Sequence, residues 1–521
     1  MKDLAFLKSL YAGGHISRRD FVKQVGIWGI GASAATAMLG TITMAQTPQR
    51  GGHLVIAGAG SSTDSADPTT YDSFFNAYLG GVFGNRLVRI GEGGSLVPRL
   101  ATEWSVSDDL KTWTIQLRDG VEFHNGKALT ANDVVYSLKR HYGEDATSGA
   151  AGNLTSVEDV VASGPNEVQI MLSEGNLDFI NIMSDYHLVI QPEGSTDDGI
   201  GTGPFILESL EPGVRATFTR NPNYWNGDKP YYDSVEILVI NDDTARTASL
   251  QTGKAHIIDR VPNTEVDFLR LSDNVTIVST PSRGHYNFIA HTNTNPFDNE
   301  DVMLALKYAL PRQQIIDQVL NGFGGLGNDH PINEGFALFE DAVEQRPFDL
   351  EQAAFHYNRS GHSGPIILES SQASWPGATE GALLFKEVAA QAGMNIEIQR
   401  VPADGYWSDV WNVRPFCASY WIPRATQDQI LTVAYTGPWN DSRFENARFE
   451  ELLPQARVER DESLRAQMYT EMQQLIHDHS GYLVPVYNAW VDAMSTEIQG
   501  FVGSASQSMG DQLVHEFTWF G

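Results

Sequence analysis

LVPRLATEWSVSDDLKTWTIQLRDGVEFHNGKALTANDVVYSLKR, Leu96 to Arg140, changes its hydrophobic period once, and that change sets its local structure. In LKTWTIQLRDG, Trp113, Ile115 and Leu117 share one face while Thr114, Gln116 and Arg118 share the other. A period of two predicts a half-buried strand, closed here by Asp119-Gly120. In LTANDVVYSLKRH the period lengthens to that of a helix. Thr130 is placed to cap it, and Val134, Val135 and Leu138 face inward.

The same alternation of element types continues outward. HLVIAGAG, VRATFTRN, DSVEILVIND and YNFIAHTN read as strands. DDTARTASLQTG reads as a helix stopped by Gly253, in a C-terminal cap position. DNEDVMLALKYAL spaces Val302, Leu306 and Leu310 helically, and Pro311 suits the first turn of the next helix. The long segment DESLRAQMYTEMQQLIHDH is expected to pack through Leu464, Met468, Met472, Leu475 and Ile476. The chain is therefore of mixed α/β class. It has no internal repeat and no low-complexity linker, so strands crossing between domains are expected in place of flexible tethers.

Bulk properties narrow the function. The 521 residues suffice for about three domains. A formal charge of −30 repels nucleic acid and anionic lipid. The single cysteine, Cys417, excludes an internal disulfide and reads as packing. Ahead of the first strand, HISRRDFVKQVG sets Arg18 and Arg19 before a weakly apolar run, Val25 to Ala45, that ends in Thr43-Met44-Ala45. This arrangement resembles a bacterial twin-arginine export signal, with residues 1–45 removed. A membrane anchor is the weaker alternative, because the run is poor in leucine and isoleucine and lacks a charged stop. The product is expected to be soluble and periplasmic.

Catalytic motifs are missing where they would be needed. Gly322, Gly324 and Gly327 form a G-x-G-x-x-G, but a helix precedes it and no helix follows, so a loop is expected. Neither TGKA nor NGKA makes a nucleotide-binding loop. His477 and His479, two apart on a helix, diverge too far to share a metal. No catalytic residue, metal ligand or cofactor is assigned. Seven large aromatics, Trp375, Tyr406, Trp407, Trp411, Tyr420, Trp421 and Trp439, instead concentrate in one region and suit a small-molecule cleft as well as a core.

Nearly the whole mature sequence resembles the extracytoplasmic solute-binding proteins of ABC importers, in the family that includes dipeptide, oligopeptide and nickel binders. The quoted stretch carries the most specific match: Trp104 to Thr114 as W-x4-D-x2-T-W-T, Arg118 to Gly126 as R-x-G-V-x-F-H-x-G, and Thr130 to Val134 as T-A-x-D-V. GTGPFILESLEPGVRATFTRNPNYWNGDKP, HTNTNPFDNEDVMLALKYAL and FEELLPQARVERDESLRAQMYTEMQQLIHD support it. The resemblance implies a two-lobed periplasmic-binding-protein fold with an extra inserted domain and a ligand cleft between the lobes. Residues 46–83, 200–283 and 490–521 would form the core of lobe 1, 84–199 the inserted domain, and 284–489 lobe 2. It further implies a monomer that is not an enzyme. That monomer would deliver a small-molecule or peptide-like ligand to a membrane permease with separate ATPase subunits, and no nucleic acid would be involved.

In dipeptide-binding relatives an acid shortly after a lobe 2 tryptophan holds the ligand amine, and an upstream arginine holds its carboxylate. In ASYWIPRATQDQIL, Trp421 is present but Arg424 replaces the acid, and the upstream ESSQASWPGATE has no arginine. A guanidinium there would grip a carboxylate through two parallel hydrogen bonds. The alternative pairs Arg424 with Asp428 or Asp441. Expected ligand contacts are Arg424, Trp421, Tyr420, Asp428, Trp439, Asn440 and Trp375, around a carboxylate-bearing peptide-like or opine-like solute. A metal complex or an oligosaccharide on the same fold, or an exported hydrolase, are the other readings.

Overall fold

The computed structural model describes residues 48–521. The export-signal assignment, with Arg18, Arg19 and residues 1–45, lies outside them. Within the opening stretch, the strand Thr112–Leu117 buries Trp113, Ile115 and Leu117, and its helix runs Ala131–Lys139. Thr130 starts that helix: its N–H and its hydroxyl both donate to Asp133 Oδ2, at 2.9 and 2.7 Å. A capping pair of this kind satisfies orphan donors of the first turn. Four antiparallel strands, ordered Ala101–Val106, Thr112–Leu117, Glu167–Leu172 and Val157–Gly164, hold the helix over a separate hydrophobic core.

The rest of the molecule is organised by one 11-stranded sheet. Its path runs Ile396–Arg400, Ile366–Ser370, Phe416–Trp421, Val275–Ala290, Tyr482–Ser495, Ile257–Ile258, His53–Gly58, Ser234–Val239, Arg215–Arg220 and Phe205–Glu211, with Gly325–Leu326 paired off this path to Tyr487 and Val486. Two strands are long enough to belong to both lobes: Val275–Ala290 with 16 residues and Tyr482–Ser495 with 14. Their antiparallel ladder pairs Val275 with Ser495 in lobe 1 and Ile289 with Tyr482 in lobe 2. Between Pro281↔Ala489 and His285↔Tyr487 the register shifts, leaving Ser282, Arg283 and Gly284 in a bulge. Bulges bend a strand and raise its twist. A Cβ on Gly284 would lie 2.5 Å from Asn488 Oδ1 and 2.8 Å from the Trp421 carbonyl oxygen, so only glycine fits this bend.

Two expectations change. The Gly322–Gly327 segment is not a free loop: its glycines lie close on the Tyr482–Ser495 strand, where a Cβ on Gly327 would meet Val484 O at 2.1 Å. The Glu462–His479 helix packs through Ala466, Tyr469, Met472 and Ile476, while Leu464 is exposed. Met468 and Leu475 pack on the same core as expected, so Leu464 alone departs from the expected stripe.

Buried charge pins lobe 2 to the long strands. Asp329 accepts from Arg312 (2.7 Å to each oxygen), from Arg346 (3.0 Å) and from Val484 N (3.0 Å). Burial pushes its carboxyl up, but Arg312, Lys307 and Arg346 outweigh that and hold it at about 2. Removing one member of a buried charge cluster strands the others and costs about 3–5 kcal/mol. Asp329→Ala should therefore lower stability by about that amount in denaturant titrations near neutral pH. Because the folded value is depressed, the Asp329 contribution is complete above the ordinary carboxylate range and is lost as pH falls toward 2. The gap between variant and wild type should close in acid.

Candidate functional site

In sheets of this kind a crevice opens beyond the carboxyl ends of parallel strands. Phe416–Trp421 runs parallel to Ile366–Ser370 and ends at such an edge. Its chain then turns through Ile422, Pro423, Arg424 and Ala425 into the helix Gln427–Tyr435, capped by the Thr426 side chain on Gln429 N. Arg424 is thus held between a strand end and a helix start. Facing it are Asp185 and Tyr186 of the inserted domain, and these residues line one cavity of about 70 Å³ with Arg86, Arg283, Ser506 and Asp511. The lobes stand closed across it: Gln429 Nε2 donates to Asn153 Oδ1 at 2.8 Å, and Arg457 bonds Glu174 at 2.9 Å.

Arg424 makes no hydrogen bond and no ion pair among the described residues, and its Nε is buried without an acceptor. Its guanidinium lies 5.7 Å from the Trp421 ring. Burial lowers its pKa, and the charge of Asp185 opposes that shift. Both candidate partners are engaged elsewhere. Asp428 receives Arg457 Nε at 3.0 Å, and burial raises its carboxyl to about 6. Asp441 accepts Tyr482 OH at 2.5 Å and Trp411 Nε1 at 2.9 Å.

The other expected contacts divide. Tyr420 and Trp439 are exposed at 38% and 49%, and with Trp407 at 41% they form an exposed aromatic wall, none of which lines the Arg424 cavity. Tyr420 packs edge-on to Trp407, and Trp439 packs on Trp421. Trp421 itself is buried and donates to Tyr482 OH at 2.8 Å, so it backs the wall without facing the crevice. Three expectations need correction. Trp375 is 2% exposed and stacks on Tyr286 in the lobe 2 core. Asp428 is spent on Arg457. Asn440 bonds the backbone of Phe444 through both ends of its amide, at 2.7 and 3.1 Å. Asp428 and Asn440 are bonded within the protein, and Trp375 is buried in the core with its Nε1 unpaired.

Sequence reasoning missed Arg283, Arg86, Asp185 and Tyr186. Of these Arg283 left a trace, a lone cation beside a glycine (Pro281-Ser282-Arg283-Gly284) at the start of an apolar strand. A larger cavity of about 450 Å³ lies beside the hinge strands, lined by Asn333, Gln345, Gln473, Tyr487 and Asn488 among others. It contains none of the expected contacts. Among the described residues no group of three or more His, Cys, Asp or Glu could hold a metal ion, and no helix is long and apolar enough to cross a membrane.

Residues 95–442 match the family model of bacterial extracellular solute-binding proteins, family 5. The chain belongs to this family. Its members bind solutes and are not enzymes. Haem-binding protein A of Haemophilus influenzae is 26% identical to this family 5 protein over 81% of its chain and 84% of that relative. A probable D,D-dipeptide-binding periplasmic protein of Escherichia coli is 24% identical over 77% and 81%. The structure of HbpA2 from Haemophilus parasuis superposes with a TM-score of 0.78 at 21% identity, covering 90% of this chain and all of that one. At that identity the likeness establishes the two-lobed fold.

The Trp411–Asp441–Tyr482–Trp421 network holds the aromatic wall of this solute-binding protein in place. Burial raises the Asp441 carboxyl to about 7, against the bonds from Tyr482 and Trp411. The folded state therefore keeps a proton that the unfolded chain has lost, and the wild type loses stability as pH rises from about 4 to about 7. Asp441→Asn removes the ionisation and keeps one acceptor oxygen, so it loses one of the two accepted bonds at every pH. Melting curves across that window should show the variant gaining on the wild type as pH rises. A constant difference would remove Asp441 as the titrating group.

Proposed function

We propose that this chain is the periplasmic receptor of an ABC importer for a small carboxylate-bearing solute, peptide-like or opine-like. The solute is enclosed between the lobes and handed to a membrane permease driven by separate ATPase subunits. The observation that carries the ligand class is Arg424, a guanidinium on the cleft cavity with no acceptor of its own. Arg424 is half-buried and faces Asp185 without bonding it, so its N–H groups remain open to a carboxylate that accepts two charge-assisted hydrogen bonds. Tyr420, Trp407 and Trp439 would cover the apolar part of the solute. Lobe closure follows because such a ligand binds the closed state better than the open one.

The lobes of this monomer divide as 46–83 with 200–283 and 490–521, against 284–489, with 84–199 inserted in the first. Export runs through Arg18 and Arg19. Replacing both with lysine should leave the uncleaved precursor in the cytoplasm on fractionation. Periplasmic mature protein in that variant would overturn the twin-arginine assignment.

The ligand class is tested by thermal-shift screening against opines, modified peptides, plain dipeptides and neutral sugars, followed by calorimetry on hits. Arg424→Ala should weaken binding of the acid by about 1.5–3 kcal/mol, roughly ten- to a hundredfold. Unchanged affinity in the variant sinks the reading, as does a preference for neutral sugars.

A further inference from the structure

Arg424 shares its cavity with a second guanidinium of the same kind. Arg283 lies in the hinge bulge and is 2% exposed. Its Nη1 donates to Ala425 O at 2.6 Å and its Nη2 to Ser506 Oγ, while its Nε has no acceptor. The Phe336 ring lies 5.5 Å from the guanidinium carbon. No carboxylate pairs with Arg283 among the described residues, and burial lowers it to about 10. Arg86, the third guanidinium on the cavity, differs: it has Asp511 at 2.9 Å and Ser184 O at 2.7 Å. Both lining acids are engaged, Asp511 by Arg86 and Asp185 by His187 at 2.6 Å and Asn153 at 3.1 Å. The acids are matched and two cations are not, in a chain whose formal charge is −30.

Position separates the two cations by role. Arg424 sits on the loop that follows the Phe416–Trp421 strand. Arg283 sits where the long strands bend, bonded on one side to that loop, through Ala425, and on the other to the C-terminal tail, through Ser506. A ligand group that reaches Arg283 therefore meets a residue tied to both sides of the closed cleft.

We propose that the solute carries two anionic groups, one held by Arg424 and the other by Arg283 at the hinge bulge. This rests on the reading of Arg424 as the carboxylate anchor and adds a second, specificity-determining anchor to it. A buried guanidinium gains most from an anion it can grip with more than one N–H, and Arg283 has its Nε–H to offer. Solutes with a single carboxylate leave Arg283 desolvated without compensation, so they close the lobes less well.

The test uses the mature full-length protein and calorimetry. The probes are opine-type N-carboxyalkyl amino acids and γ-glutamyl peptides, each with two carboxylates, beside the same compounds with one carboxylate converted to the primary amide. On the wild type, amidation should weaken binding at least about tenfold. In Arg283→Met, diacid and monoamide should bind alike, at the strength of the wild-type monoamide. In Arg424→Met, both should be lost. Equal binding of diacids and monoamides by the wild type overturns the proposal without any variant, which keeps it falsifiable should Arg283→Met not fold. Arg283→Met retaining the full preference for diacids also overturns it. Retained affinity in Arg424→Met for every probe instead removes the anchor on which the proposal rests. Failure of the wild type to bind any probe removes both.

Discussion

The antiparallel ladder between Val275–Ala290 and Tyr482–Ser495 is the constraint on which the rest depends. Both strands contribute to lobe 1 at one end and lobe 2 at the other, so the lobes share one hydrogen-bonded sheet and cannot drift as domains on tethers do. The bulge at Ser282–Gly284 is the interruption in that ladder between the lobes. Backbone pairing is broken there, and Gly284 allows close packing against Trp421 and Asn488. The crevice is then defined by what lies beyond the strand ends on either side of the bend.

Electrostatics separates the framework from the site. Several buried charges in the framework are matched: Asp329 between Arg312 and Arg346, and Glu516 bidentate to Arg99 at 2.9 and 2.6 Å. Such clusters are strongly destabilised when one partner is removed, which fixes local geometry. Arg424 and Arg283 break this rule in the same cavity. Two guanidiniums without a paired carboxylate on one cavity distinguish that place from the ion-paired framework.

Much of the fold was legible because short-range patterns dictated it. The period of two in Thr112–Leu117 and the Thr130–Asp133 capping pair depend on neighbours in sequence, and both stand in the structure. The expected Glu462–His479 stripe stands at Met468, Met472, Leu475 and Ile476 and departs at Leu464, which is exposed. The candidate site was less legible. Trp375, Asp428 and Asn440 are satisfied by partners that adjacency does not reveal: Tyr286, Arg457 and the Phe444 backbone. Arg283 lies 141 residues from Arg424, and only the folded sheet brings them to one cavity. Arg424 could be singled out because its sign departs from the pattern of relatives, a local fact.

The tail that carries Ser506, Asp511 and Glu516 has a consequence for the order of assembly. His53–Gly58, the first strand, is flanked by Ser234–Val239 and Ile257–Ile258, and the latter lies against Met494 and Ala493. Arg86 and Arg99 find their carboxylates only at Asp511 and Glu516. This part of the molecule is therefore stitched from segments far apart in sequence, with 425 residues between Arg86 and Asp511 and 417 between Arg99 and Glu516. Such long-range pairing is slow to form. Until the segment with Asp511 and Glu516 folds back, Arg86 and Arg99 stand without their acids.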